Sequence, residues 1–216
     1  MSFYINNTNQ NRPGPISGNF GNGLCEKVLI ETTKVFDACL SQITETGIVL
    51  ELTDLTPADP ALPLTYISAE NTPGQTATVS NLVIDRIETA PNYANISLDV
   101  TVPVTVTYRD ANNVLGQGTS TITVTKNVVM FVPQPSATPI NVTAQGLFNS
   151  RIGTYTAENT FTVTGCLQIV IKVVGVVDIL VPSYGYPVLP PCQEGSTTDV
   201  CPGVFDTPIY PTATNN

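Results

Sequence analysis

Five cysteines, Cys25, Cys39, Cys166, Cys192 and Cys201, are the residues of this chain best suited to covalent chemistry. No two have the Cys-x-x-Cys spacing of a zinc or redox site. The chain holds no His, so no imidazole can complete a mixed metal site or act as a base. The cysteines are either small buried hydrophobes or thiols that oxidise once the protein leaves a reducing compartment. Cys192 and Cys201 lie in a Pro- and Gly-rich stretch with little core around them, which favours accessible thiols or disulfides there. Five is odd, so full pairing leaves one cysteine for a bond between chains.

Other chemistry is thinly represented. Asp85/Glu88 and Asp54/Asp59 are neighbouring acids of the kind a retaining hydrolase uses. In a chain with 17 acids such pairs arise readily, and no Trp offers a sugar platform. Calcium is conceivable near Asp54 and Asp59, but no loop has the regular oxygen-ligand spacing of a calcium motif. Gly14, Gly18, Gly21 and Gly23 follow no strand and do not make a phosphate loop. Asn95-Ile96-Ser97 and Asn141-Val142-Thr143 match a glycosylation acceptor, which matters only in a secreted chain. A Lys–Asn isopeptide bond needs a buried Lys beside an Asn and an acid; Lys126 and Lys172 interrupt or flank apolar rows. The expectation is no catalytic residue, no cofactor and no metal site, hence no enzyme.

Composition narrows the class. Eight Lys+Arg against 17 Asp+Glu give a net charge of −9, which excludes a phosphate-binding basic surface and therefore nucleic acid as a partner. Charged residues make up 12% and apolar residues 42% of the 216, so the chain can bury a core and is not a long disordered segment. It contains 31 Thr and 25 Val, which are stiff at χ1 and suit a pleated surface. Eighteen Asn, 18 Pro and 15 Gly supply turns. The N-terminus, Met1-Ser2-Phe3-Tyr4-Ile5, has neither the basic nor the apolar region of a secretory signal, so synthesis in a cytoplasm is expected. The most apolar run, Leu167 to Val181, holds Lys172 and Asp178 and is too short to span a bilayer, so no membrane partner is expected.

The elements that must position these residues are strands. From Ile96 to Tyr108 the even positions Ile96, Leu98, Val100, Val102, Val104, Val106 and Tyr108 are apolar, a period of two. Pro103 interrupts the ladder donors of this run, which predicts an edge position or a bulge. Asp110-Ala111-Asn112-Asn113 reads as a turn. A partner from about Gln117 to Val132 carries Ile122, Val124, Val128, Met130 and Val132 on one face, completing a long hairpin. Lys27–Asp37, Gln42–Thr53, Leu64–Ser68, Ala77–Thr89, Ile140–Phe148 and Thr154–Thr156 are further strand candidates. Phe161, Val163, Leu167, Ile169, Ile171 and Val173 share a face, and Cys166 has the opposite parity, on the outer surface. The expected architecture is all-β: a single antiparallel, jelly-roll-like β-sandwich over residues 24–182. An extended N-terminal arm, residues 1–23, has Phe3, Ile5, Ile16 and Phe20 as sparse apolar anchors and Arg12 as its only charge. A Pro-rich C-terminal tail covers residues 183–216.

Charge is distributed unevenly. Residues 1–110 hold 12 acids and 5 bases, residues 111–177 hold Glu158 against Lys126, Arg151 and Lys172, and residues 178–216 hold 4 acids and no base. The outer faces of the middle strands are therefore Thr, Ser, Asn and Gln. A soluble monomer studs exposed strands with charge to block edge pairing. Either this is merely a Thr-rich sheet face, or it is a surface covered by neighbouring copies.

The segment Cys25-Glu26-Lys27-Val28-Leu29-Ile30-Glu31-Thr32-Thr33-Lys34-Val35-Phe36-Asp37-Ala38-Cys39 resembles the opening of spore-surface proteins of endospore-forming Firmicutes, clostridia especially. There a Cys precedes a K-V-F-D-x-C stretch that begins the β-domain. The layout is also similar to the subunits of endospore appendage fibres, with a leaderless N-terminal arm, one jelly-roll-like sandwich and assembly in the mother cell. Those subunits carry cysteines very near the N-terminus, whereas Cys25 follows a Cys-free arm. The resemblance implies a structural subunit on the endospore surface, extracellular after mother-cell lysis. Its partners would be copies of itself, joined by arm or donor-strand docking and by disulfides among Cys25, Cys39, Cys166, Cys192 and Cys201. The alternatives are a viral or phage capsid or fibre jelly roll, and a monomeric ligand-binding β-module.

Overall fold

The structure, a computed structural model, describes residues 14–15 and 26–185. They form nine strands: β1 Gly14–Pro15, β2 Glu26–Glu51, β3 Thr53–Thr56, β4 Thr65–Asn71, β5 Thr78–Ile87, β6 Ala90–Arg109, β7 Leu115–Phe131, β8 Ile140–Ala157 and β9 Thr160–Ser183. No helix occurs among the described residues, and none is long and apolar enough to cross a membrane. The all-β, antiparallel class expected from Thr, Val and turn-residue content is the class observed.

Two units divide the described residues, residues 32–177 and residues 14–15 with 26–31 and 178–185. In the smaller unit Gly14 pairs with Lys27 and Pro15 with Glu26. In the larger unit the order is β2-β9-β8-β4-β6-β7-β3, with β5 also pairing β6. Chain order explains how this sequence of neighbours ends. β2 leads through Leu52 into β3, and β3 pairs with β7 at Thr53↔Thr119 and Thr56↔Gln117. Leu52 N meanwhile donates to Asn159 O at 2.9 Å, at the turn between β8 and β9.

The core follows the period-two pattern. Ile96, Leu98, Val100, Val102, Val104, Val106 and Tyr108 of β6 are all at or below 1% exposure. Phe161, Val163, Leu167, Ile169, Ile171 and Val173 of β9 are buried in the same cluster. Each such side chain stabilises the fold by about 1.5–3 kcal/mol relative to exposure. The β6–β7 hairpin is in register without a shift from Tyr93↔Phe131 to Arg109↔Leu115. Its turn is built by Asp110, whose Oδ1 accepts from Asn112 N at 2.9 Å and Val114 N at 2.8 Å, while Asn113 takes a φ of 65°.

Three local expectations are corrected. Pro103 marks no bulge and does not make β6 an edge strand: β6 is paired by β7 throughout and on its other side by β4 up to Val104 and by β5 from Thr101, leaving that side open only at Pro103 and its neighbour. Its carbonyl accepts from Thr72 N at 3.0 Å, so its nitrogen faces the gap between Asn71, where β4 ends, and Thr78, where β5 begins. No ladder donor is required at that point. β2 is one strand across the break expected between Asp37 and Gln42, because Asp37 turns its carboxylate to Phe131 N instead of making a turn. At Gly47, with a φ of +73°, its inward parity shifts from Ile43 to Ile48 and Leu50. β8 likewise continues through the gap expected after Phe148, with a bulge between Ser150 and Ile152. The buried Ser150 hydroxyl occupies that bulge, 2.8 Å from Thr164 O and 3.1 Å from Ile152 O.

Candidate functional site

The thiols come first. Cys25, Cys192 and Cys201, and the arm residues Phe3, Ile5, Ile16 and Phe20, lie outside the described residues. Cys39 and Cys166 are free thiols. Cys39 is half-buried on β2, with its sulfur 3.9 Å from Met130 Sδ. Burial pushes its thiol above the ordinary range, and the Asp37 carboxylate adds to the shift. Cys166 is exposed on the outer side of β9, as its parity predicted. Its sulfur lies 4.0 Å from Thr44 Oγ1, in a shallow groove of about 290 Å³ lined also by Gln42, Leu147, Asn149 and Gln168. An exposed thiol of this kind can reach a second thiol brought by another chain more readily than the half-buried Cys39 can.

The motif Phe36-Asp37-Ala38-Cys39 has a local structural role. Phe36 packs over Gly175, where an added Cβ would come 3.1 Å from its ring. Asp37 Oδ2 accepts from Phe131 N at 2.7 Å and Oδ1 from Ala38 N at 2.8 Å. Cys39 then meets Met130. Phe36 thus meets β9, while Asp37 and Cys39 hold β2 to the end of β7. The signal for this role in the sequence is an acid, Asp37, inside an otherwise strand-like run.

The acids do not gather. Asp54, with a φ of 50°, accepts from Thr119 Oγ1 at 3.0 Å; Asp59 is exposed in the following loop; Asp85 and Glu88 are exposed on and just beyond β5. No group of three or more His, Cys, Asp or Glu that could hold a metal occurs among the described residues. A polar depression of about 640 Å³ is lined by Glu51, Asp54, Gln75, Pro103, Thr119 and Thr121, among others. Lys172 Nζ donates to Gln145 Oε1 at 3.0 Å. Lys126 stands in the inward row of β7, opposite the buried Leu98, and is half-buried.

What the outer faces offer is hydroxyls and exposed apolar side chains. Thr101 and Thr123 Oγ1 atoms are 2.9 Å apart, Thr53 and Thr119 3.0 Å, and Thr156 and Thr162 3.0 Å. Between and around these pairs Leu40, Val129, Leu147 and Ile152 are each more than half exposed. Glu70 and Arg151 pair at 3.0 Å with both side chains more than half exposed, a contact worth about 0–1 kcal/mol. Comparison with protein-family models, with curated proteins and with solved structures found no match.

Proposed function

We propose that this chain is a structural subunit that assembles with copies of itself into a fibre or layer, as its resemblance to endospore-surface proteins implies. It acts as a scaffold and not as an enzyme, and it needs no cofactor, nucleic acid or membrane. In this proposal β2, β9 and β8 form one layer and β5, β6 and β7 the other of a jelly-roll-like sandwich bridged by β4, with the N-terminal arm reaching a neighbour. Disulfides formed after release from the mother cell lock the contacts, with the exposed Cys166 as the first candidate.

The observation that carries this proposal is the outer side of β7. Thr121, Thr123, Thr125, Asn127 and Val129 are exposed there in succession without a single charge. A protein built to remain a monomer places charge on such a face. A surface buried against copies of itself needs none, because desolvating a charge costs far more than desolvating Val, or Thr whose hydroxyl keeps a hydrogen bond. Negative-stain microscopy and sedimentation velocity on the full chain test this. Filaments or sheets are expected; a single monomer boundary over the whole accessible concentration range would refute it.

A further inference from the structure

We infer that the open edge of β7 is the acceptor for the N-terminal arm of a second copy, residues 1–12, which adds to it as an extra strand. This rests on the assembly proposed above and names its contact.

The direction of the backbone groups identifies the edge. Pro103 O accepts from Thr72 N, so odd-numbered residues of β6 face β4 and β5 and even-numbered residues face β7. On β7 the even-numbered residues therefore face β6. The odd-numbered ones face away, as Thr53 Oγ1 donating to Thr119 O at 3.3 Å and Phe131 N donating to Asp37 Oδ2 both attest. Between those two closures the N–H and C=O groups of Thr121, Thr123, Thr125, Asn127 and Val129 point along an edge that no described strand pairs. From Thr119 to Phe131 this edge is about 40 Å long.

The core is also open along it. Inward residues of β6 and β9 have no exposure to speak of, whereas Val124 and Val128 of β7, and Ile43 and Ile48 of β2, are only half-buried. An incoming strand with apolar side chains at alternate positions covers that row and pairs the five orphan rungs at once. Most of the usual defences of a strand edge are absent here: the register has no bulge and the edge has no Pro and no acid, and the one charge, Lys126, points inward.

Lys126 makes the edge selective. It faces inward, half-buried, with no hydrogen bond or ion pair among the described residues. A purely apolar strand would bury its ammonium without a partner, which is costly. The arm brings Phe3 and Ile5 at a spacing of two, followed by the amide oxygens of Asn6, Asn7 and Asn9. Residues 1–12 contain no Pro and no acid. The other Pro-free stretches of ten residues outside the described residues fit less well: 16–25 carries Gly18, Gly21 and Gly23, and 192–201 has Gly195 in its middle and no apolar pair at a spacing of two.

The test uses the full chain. Thr123→Pro removes a free-edge N–H and leaves the β6 ladder intact; Thr123→Ala keeps the N–H. Assembly of the Pro variant is expected to need at least about tenfold more protein, and the Ala variant to assemble like the wild type. In an otherwise wild-type chain, a photo-crosslinking phenylalanine analogue at Val129 is expected to attach to residues 1–12 of another copy. Mixing isotopically light and heavy chains identifies the copy by mass. This second measurement decides the matter if Thr123→Pro does not fold. Equal assembly of Thr123→Pro and wild type, or cross-links confined to the same chain or to other segments, overturns the docking edge alone. A wild-type chain that never assembles removes the assembly itself, and the docking edge with it.

Discussion

Asp37 supplies a clean test of how β2 is held to β7. Its Oδ2 accepts from Phe131 N at 2.7 Å, and that N–H faces away from β6, so truncation leaves it without a backbone acceptor. Hydrogen bonds to charged groups contribute about 1.5–3 kcal/mol net, and a half-buried setting brings the figure to the lower part of that range. Asp37→Ala is therefore expected to cost about 1–2 kcal/mol, a fall in Tm of about 2–8 °C for a domain of this size. Asp37→Asn keeps one carbonyl oxygen, which can serve Phe131 N or Ala38 N but not both, and should lose about half as much. Thermal unfolding should be followed by circular dichroism at low protein concentration with reductant, because assembly would make Tm depend on concentration. The loss should persist at high salt, since a 2.7 Å hydrogen bond to a backbone amide is barely screened. An unchanged Tm in Asp37→Ala, or a loss that vanishes with salt, refutes this account of the β2–β7 closure.

Four further outcomes follow from particular contacts. Tyr108 has a buried hydroxyl without a hydrogen-bond partner among the described residues, so Tyr108→Phe should hold or raise stability by about 1 kcal/mol; a clear loss in chemical denaturation would contradict this. At Gly146 an added Cβ would come 2.4 Å from Val102 Cγ2, so Gly146→Ala should cost about 1–3 kcal/mol, and adding Val102→Ala should recover part of it. Hydrogen bonds from Thr125 and then Asn81 hold the Asp99 carboxyl below its ordinary range. Its contribution is present above the ordinary carboxylate pKa and is lost as pH falls through the lowered folded value, so Asp99→Asn should flatten the acid side of the stability profile; an unaltered slope counts against it. In alkylation mapped by mass spectrometry, Cys166 should react well before Cys39 in the folded chain, with the Cys39 rate rising at higher pH and the two rates converging in denaturant; equal native rates would remove the burial difference.

The core strands were legible because their side chains alone decide their faces. Ile96 to Tyr108 and Phe161 to Val173 read as single apolar rows, and all of those inward positions are buried. Cys166 was placed outside by parity for the same reason. What misled was local turn chemistry overridden by distant partners. The Asp37-Ala38 and Asn149-Ser150 steps look like places for a chain to turn. Yet Asp37 spends its carboxylate on Phe131 N, and the Ser150 hydroxyl serves Thr164 O, residues far along the chain. Pro103 misled because its acceptability depends on where β4 stops and β5 starts, which no local pattern encodes. Asn71 acts on the same principle: its side-chain amide donates to Gly146 O at 2.8 Å and accepts from Phe148 N at 2.6 Å, carrying the β4–β8 ladder one step past its last paired residue. Of the candidate site, the uncharged face was visible in composition, whereas the free edge was not, because an edge is defined by strand order.

The β6–β7 hairpin divides two tasks between its strands. β6 is flanked by β7 on one side and by β4 and β5 on the other, so its inward row is sealed and a truncation there opens a cavity. Beyond Thr119, where β3 pairs it, β7 is flanked by no described strand but β6, so the inward row that follows Ile122 is only partly covered and the outer rungs from Thr121 to Val129 have no described partner. Substitutions in the two strands should then separate cleanly. A smaller residue at Val100 or Val102 weakens folding of the single chain. A change at Thr123 or Lys126 leaves that folding nearly intact and alters what the chain can join. The inward Lys126 is the residue that ties the two tasks together: it has no partner among the described residues, so a purely apolar strand laid over it would bury its ammonium unpaired, whereas a strand bringing an acceptor would not.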